Sequence, residues 1–277
     1  MPLLTESQKA EFAENGVLVL RGFYDVDAQL KPLQRALYDV IGLVAQRHGL
    51  ALEREPFHFD NFDSGYGQLI AANRAYGAEV YDVVKQIPAF LRLVSCERNE
   101  QVFKELRAAE TAGIGWASYG IRIDNPNEEK FRSHWHQEFL YQPQSLDGVV
   151  LWTPLVPVTP EIGPVQVCLK SHRDGLCVYE REGAHAHKQG AYKLGIRDEE
   201  IIVARYTQAA PLAHPGDLIL MDFLTIHQSG YNVSNRSRWS VQTRYFNFRE
   251  PTGMRIGWKA SVTTGTDIES IFPDNFV

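Results

Sequence analysis

His134-Trp135-His136-Gln137-Glu138-Phe139-Leu140-Tyr141 sets two imidazoles and a carboxylate inside a run of aromatic and aliphatic residues. In an extended chain alternate side chains share a face, so His134, His136 and Glu138 are expected to point one way. Around this stretch, runs rich in Val, Ile, Tyr and Trp alternate with Gly, Pro, Asn and Asp: Gly115–Ile123, Gly148–Val156, Val165–Leu169, Ile201–Ala204, Asp217–Asp222 and Ser240–Phe248. Many short strands with turn punctuation predict a sandwich or barrel. The expected fold is mainly β with flanking α-helices, a double-stranded β-helix of the jelly-roll, cupin-like type.

The residues before Gly113 have a different period. Thr5-x-x-Gln8 reads as a capping box that opens a short helix, Gly16 as its C-terminal stop, and Val17–Leu20 as a strand. From Asp25 to about His48, Leu30, Leu33, Leu37, Val40, Ile41 and Val44 recur at the spacing of one helical stripe. Residues 51–78 show no clear period and read as a long ordered loop. Helical patterns return at Glu79–Val94, interrupted by Pro88, and at Glu97–Ala108. Without a repeat, a low-complexity tract or a linker, residues 1–277 read as one domain. Its parts are helical support and opening strand (about 1–112), jelly-roll core (about 113–250) and C-terminal extension (251–277).

Composition narrows the function classes. Of 277 residues 44% are hydrophobic and 22% charged, enough to bury a core and too apolar for a disordered chain. The 28 Lys and Arg against 34 Asp and Glu leave a net charge of -6, and no basic run is present to neutralise a phosphate backbone, so nucleic acid is not an expected partner. Cys96, Cys168 and Cys177 are too few and too scattered for a disulfide framework, and nothing around them marks a reactive thiol. With no signal-peptide pattern and no long apolar run, a cytoplasmic protein without a membrane partner is expected. No Gly-rich turn precedes a helix as a dinucleotide site requires, and no serine nucleophile elbow occurs.

The chemistry-bearing residues sit in the strand-rich half. His136 and Glu138 offer mixed nitrogen and oxygen ligands, and His227, just beyond an apolar strand, would be the third. Two imidazoles and one carboxylate on one side of an ion leave the opposite positions open, the arrangement of non-haem Fe(II) oxygenases. Eleven residues beyond His227, Arg238 heads the last strong strand, where a guanidinium can pair with the carboxylate of a bound cosubstrate. His134 is a possible competitor for the ion. His185 and His187 read as solvated residues of a charged loop. Arg244 reads either as an anchor for an anionic substrate or as a structural ion-pair partner.

These residues resemble the phytanoyl-CoA dioxygenase-like family of Fe(II)- and 2-oxoglutarate-dependent oxygenases. The likeness covers most of the chain. Glu14–Phe23, Trp152-Thr153-Pro154-Leu155, Glu161-Ile162-Gly163-Pro164, Ser171-His172-Arg173 and His214-Pro215-Gly216-Asp217 are similar to family segments, and the His227-x-Ser229 pair with Arg238 is the most specific part. The resemblance implies that His136, Glu138 and His227 hold Fe(II). It further implies that Arg238 with Ser229 receives the far carboxylate of 2-oxoglutarate, and that Trp152 lies near the same cosubstrate. Glu138 departs from the family's usual Asp by one methylene. The implied activity is O2-dependent hydroxylation of an unactivated C–H bond in a small-molecule metabolite, with release of succinate and CO2. Residues 57–67 and 179–200 are the candidate lids. The rival readings are a zinc-type metallohydrolase on the same three ligands, which leaves Arg238 without a task, and a non-catalytic jelly-roll binding protein. Substrate identity and oligomeric state are not legible in the sequence.

Overall fold

The computed structural model describes residues 2–115, 118–181, 185, 194–259 and 268–277. Helix α1 (Glu6–Asn15) starts at the expected capping box: the Gln8 backbone N–H donates to Thr5 Oγ1 and the Gln8 side chain accepts from the Thr5 backbone N–H. It stops at Gly16, whose φ of +73° suits glycine. A Cβ there would also lie 2.3 Å from Thr225 Oγ1, so the turn that leads to His227 packs directly on this glycine.

Strand β1 (Val17–Leu20) follows, then a π-turn at Val26–Leu30 and helix α2 (Lys31–Arg47), which buries Leu33, Leu37, Ile41 and Val44 as the periodicity predicts. The region read as a loop over 51–78 is helical at its end. Helix α3 (Tyr66–Ala72) and α4 (Arg74–Val83) meet at Asn73, whose side chain caps α4. Pro88 opens a new helix, α5 (Pro88–Val94), at a position where its missing amide costs nothing. Helix α6 spans Glu97–Arg107.

The strand-rich half contains β2 (Ala112–Ile114), β3 (Gly120–Asp124), β4 (Gly148–Pro154), β5 (Val165–Cys168), the short pair β6 (Tyr179–Glu180) and β7 (Gly195–Ile196), helix α7 (Glu199–Val203), β8 (Gln208–Ala209), β9 (Leu218–Asp222), β10 (His227–Ser229) and β11 (Arg238–Asn247). Helices α8 (Pro251–Ile256) and α9 (Ile268–Ile271) close the chain. The large sheet runs β1-β9-β4-β11-β2 with β3 also on β11, and the smaller one β10-β5-β8; every pairing is antiparallel. Two facing antiparallel sheets with helices on one side form the jelly-roll.

Three strand expectations are corrected. Among the described residues of Gly115–Ile123, only the part from Gly120 is strand, as β3 (Gly120–Asp124), and β2 (Ala112–Ile114) ends before it starts. Ile201–Ala204 belongs to α7, with Glu199 and Glu200 in its first turn and Ile201 exposed to solvent. His134–Tyr141 is not a strand: His136 makes one isolated bridge to His227, and Glu138–Leu140 turns at once into a 3₁₀ helix.

Strand β11 joins the layers. Its odd-numbered residues face the helices: Trp239 meets Phe62 and Tyr66 edge-on at ring-centroid distances of 5.6 and 4.7 Å, and the Tyr245 hydroxyl donates to the Val94 carbonyl. The even-numbered residues Arg238, Ser240, Gln242 and Arg244 face the smaller sheet. One continuous apolar core extends from Leu4 to Tyr245 through helices and large sheet, and a second small cluster, including Trp135, Leu140, Cys168 and Ile226, lies beneath the smaller sheet.

Candidate metal centre

The local fold aims His136 and His227 at each other. Their backbones exchange two hydrogen bonds of 3.0 Å, and their rings lie 4.2 Å apart between centroids. Each ring's Nδ1 lies against a main-chain carbonyl, His134 at 2.7 Å for His136 and Thr225 at 2.9 Å for His227. A carbonyl can only accept, so Nδ1 carries the proton and each Nε2 keeps a bare lone pair. The 3₁₀ turn then delivers Glu138, whose Oε2 lies 3.6 Å from His227 Nε2 and 4.0 Å from His136 Nε2. One ligand atom from each of the three buried residues lies within 4.8 Å of the others.

Electrostatics favours the protonation states a metal ligand needs. Burial, reinforced by the neighbouring His227, holds the His136 imidazole well below its usual range, with Glu138 opposing. Burial alone would raise the Glu138 carboxyl, but the opposing charge, first that of the Arg244 guanidinium, outweighs it and keeps the group ionised. Two neutral imidazoles and one carboxylate fit a divalent transition metal.

Gln137, between the two ligands, is fully buried and points the other way. It donates to the carbonyls of Gly175 and Leu224 and accepts from the Cys177 amide and the Tyr179 hydroxyl. Those four bonds tie the metal-facing turn to the β6 segment and to the turn before His227. That turn is braced in its own right: Asp222 accepts from Arg107 and from the Leu224 amide, and the Ser171 hydroxyl accepts from the Ile226 amide.

Arg238 is 1% exposed, and only Nη2 has partners: Asp124 at 2.7 Å and the Ser229 hydroxyl at 3.1 Å. Nε and Nη1 are buried with no acceptor. Leaving two such donors unpaired costs free energy that a ligand carboxylate would offset, so the position fits an anion. Asp124 is in turn gripped by both oxygens through Arg122 Nε, at 2.9 and 3.0 Å. Burial opposes ionisation of Asp124, yet Arg122 and Arg238 together hold its carboxyl below the ordinary value.

The remaining predicted residues are placed as follows. Trp152 is 2% exposed and stands opposite Gln242 in the β4–β11 register, which sets it on the Arg238 face; no hydrogen bond joins it to the residues above. His134 does not compete for the ion, because its Nε2 donates to the Leu194 carbonyl at 3.1 Å and its ring stacks on His185 at 3.7 Å. His185 is mostly buried and bonds Glu199 Oε2 at 3.1 Å, in contrast to the solvated role expected of it; His187 lies outside the described residues. Arg244 is an ion-pair partner, with Nε 3.1 Å from Glu138 Oε1. Segment 57–67 is fastened by buried Phe62 and by Arg236, which bonds both Asp63 oxygens and the Asp60 carbonyl. Of segment 179–200, residues 182–184 and 186–193 lie outside the described residues. Burial pushes the Cys168 and Cys177 thiols up to about 12, in keeping with packing roles.

Asp124 and Gln137 escaped the sequence reading. A polar signal existed for Asp124, since Arg122 and Asp124 alternate on a strand otherwise made of Ile121 and Ile123; for Gln137 there was none beyond its place between two ligands.

Comparison with known proteins gives a consistent frame. The family profile of phytanoyl-CoA dioxygenase (PhyH) matches residues 12–240. No curated protein sequence matches the chain. Among solved structures, EctD from S. alaskensis with bound Fe superposes with a TM-score of 0.59 at 18% identity, over 91% of this chain and 81% of that one. The epimerase SnoN, in complex with Fe3+, alpha ketoglutarate and nogalamycin RO, gives 0.58 at 16% identity over 90% and 86%. The carbocyclase SnoK from nogalamycin biosynthesis gives 0.57 at 14% identity over 88% and 85%. At such identities the likeness is one of fold.

Proposed function

The chain belongs to the phytanoyl-CoA dioxygenase family, and from that premise we propose that it is an Fe(II)- and 2-oxoglutarate-dependent dioxygenase that hydroxylates an unactivated C–H bond of a small-molecule metabolite. The observation that carries this reading is the pairing of two features: the convergent candidate ligands His136, Glu138 and His227, and a buried Arg238 with two unused donors. A zinc hydrolase on the same ligands would leave those donors without purpose, and a binding module would need neither feature.

In this mechanism His136 and His227 would hold the iron through Nε2 and Glu138 through Oε2. Bound iron with 2-oxoglutarate and O2 supplies the oxidising power for C–H cleavage, with succinate and CO2 as coproducts. The task of Arg238 is to receive the far carboxylate of 2-oxoglutarate through Nη1, while Asp124 and Ser229 fix the guanidinium through Nη2. The Ser229 hydroxyl thereby acts as a support for the arginine. Trp152 forms part of the wall on the same face and excludes water. The closely related folds of a structure solved with 5-hydroxyectoine, a carbocyclase and an epimerase set hydroxylation against ring closure and epimerisation as outcomes. We place hydroxylation first because Glu138 would fill the position that a halide would need in halogenation, and hydroxylation requires no further group from the protein. Three free cysteines suit a cytoplasmic setting.

Anaerobic addition of Fe(II) and 2-oxoglutarate is expected to give a visible charge-transfer band that Arg238→Met weakens. Admission of O2 with a panel of small metabolites should then release succinate and add one oxygen atom to a product. A colourless mixture that retains zinc and hydrolyses esters or amides would replace this reading with the hydrolase.

A further inference from the structure

Arg244 is a charged side chain in direct contact with a metal-facing carboxylate, and the reaction as described gives it no task. Its side chain is 15% exposed and is held at three points: Nε to Glu138 Oε1 at 3.1 Å, Nη2 to Gln242 Oε1 at 2.7 Å and Nη1 to the Ser118 carbonyl at 3.2 Å. Glu138 has little freedom either. Its side chain is 3% exposed, and its backbone carbonyl accepts from the amides of Tyr141 and Gln142 at 2.9 and 3.1 Å. The two oxygens of this glutamate therefore have different surroundings: Oε1 accepts from a fixed guanidinium, whereas Oε2 faces the two imidazoles.

We infer that Arg244 is a positioning residue that keeps Glu138 a one-oxygen ligand, and so preserves the coordination positions 2-oxoglutarate needs. The inference rests on the functional reading above. A carboxylate with both oxygens free can chelate one ion through both. Glutamate, with its extra methylene, has the reach to do so, and the second oxygen would occupy a position that the open side of the metal must offer. A charge-assisted bond to Oε1 opposes that swing. The same contact explains how a longer acid is accommodated at all. Glu138 stands at the start of a 3₁₀ turn and not on a strand, and its length lets one side chain meet Arg244 on the large sheet and the imidazoles beside the small sheet.

The electrostatic consequence separates this role from plain support. Arg244 is a cation beside a cation site, so on Coulomb grounds its loss favours divalent metal binding. A merely structural arginine would weaken metal and 2-oxoglutarate binding together. The experiment measures Mn(II) affinity by electron paramagnetic resonance and 2-oxoglutarate affinity of the Mn(II)-loaded protein by calorimetry, for wild type, Arg244→Met and Arg244→Lys, with thermal unfolding of each metal-free protein as the folding control. In Arg244→Met, Mn(II) should bind as tightly as in wild type or up to about tenfold tighter, while 2-oxoglutarate binds about tenfold more weakly, the size of effect usual for groups that orient a ligand. Arg244→Lys, which keeps a charged donor for Oε1, should recover most of the 2-oxoglutarate affinity. Parallel loss of both affinities, no change in either, or a defect confined to the organic substrate would each overturn the inference. Wild-type protein that takes up neither Mn(II) nor 2-oxoglutarate would remove the functional reading itself, and this inference with it; the variants speak to the inference alone.

Discussion

Replacing Arg238 by methionine should separate ligand binding from folding. The guanidinium is buried, with Asp124 and Ser229 on Nη2 and two donors, Nε and Nη1, unpartnered. If Nη1 binds the far carboxylate of 2-oxoglutarate, that charge-assisted bond contributes about 1.5–3 kcal/mol. At 1.4 kcal/mol per factor of ten, the Kd should rise by about 10- to 10²-fold. Stability of the ligand-free protein should hardly follow. Breaking the buried Arg238–Asp124 pair costs about 3–5 kcal/mol in typical cases, but removing two unsatisfied buried donors returns about 1–3 kcal/mol each. Asp124 also retains both bonds from Arg122. The two contributions nearly cancel, so the unfolding free energy should change by less than about 2 kcal/mol. Calorimetry of 2-oxoglutarate on anaerobic metal-loaded protein, beside urea unfolding of the metal-free protein, reads both quantities. A variant that binds 2-oxoglutarate within about threefold of wild type, or one that fails to fold, refutes the assignment of Nη1 to the cosubstrate.

Other perturbations test the supports of the site. Gln137→Leu strands two carbonyls, one amide and one hydroxyl, and should cost about 2–4 kcal/mol in urea unfolding; a loss below about 0.5 kcal/mol would show that its four bonds are dispensable. Gly16→Ala meets both a left-handed φ and a Cβ position 2.3 Å from Thr225 Oγ1, so a drop of several degrees in Tm is expected, with weaker metal binding because the crowded turn carries His227; an unchanged Tm would contradict this. Glu138→Asp withdraws the carboxylate by one methylene from groups on two sheets and should weaken metal binding about tenfold, read by equilibrium dialysis; equal affinity would mean that the turn can move to follow the shorter acid. Acid stability carries a signature of Asp124. Its carboxyl sits below the ordinary 3.8 in the folded protein, so its stabilisation is complete above that value and is lost as pH falls through the lower folded value. Asp124→Asn should flatten this part of the stability profile below the ordinary carboxylate value of 3.8, and a profile that keeps its slope would assign the acid sensitivity elsewhere.

The residues that bring the candidate metal ligands together were legible for reasons partly different from those that operate in the molecule. Alternation along an extended chain predicts a common direction for His136 and Glu138, yet only His136 is paired like a strand residue. Glu138 reaches the same point from a 3₁₀ turn, and the register of β10 on β5 fixes His227. Residue type and spacing were sufficient because both geometries bring the same donors to one place. The helix Tyr66–Ala72 went unread even though Tyr66, Leu69 and Ile70 carry a helical spacing; Gly65, Gly67 and Asn73 obscured it, two of them acting as caps. Ile201–Ala204 has the β-branched composition of a strand, but the preceding acids favour a helix start and Ile201 remains in water. The pairing of Arg244 with Glu138 could not be read, because its partner lies 106 positions away and only the fold sets them in contact.

Strand β11 has a bearing on how proteins of this shape can diverge. Its two sets of side chains interleave one by one, Trp239 and Tyr245 as fasteners to the helices, Arg238 and Arg244 as charges turned toward Ser229 and Glu138. Gain or loss of a single codon within the strand would exchange the two sets wholesale, turning fasteners inward and guanidiniums into the apolar layer. A change of length is therefore tolerated in the connecting segments, which lie at the surface, and not inside this strand.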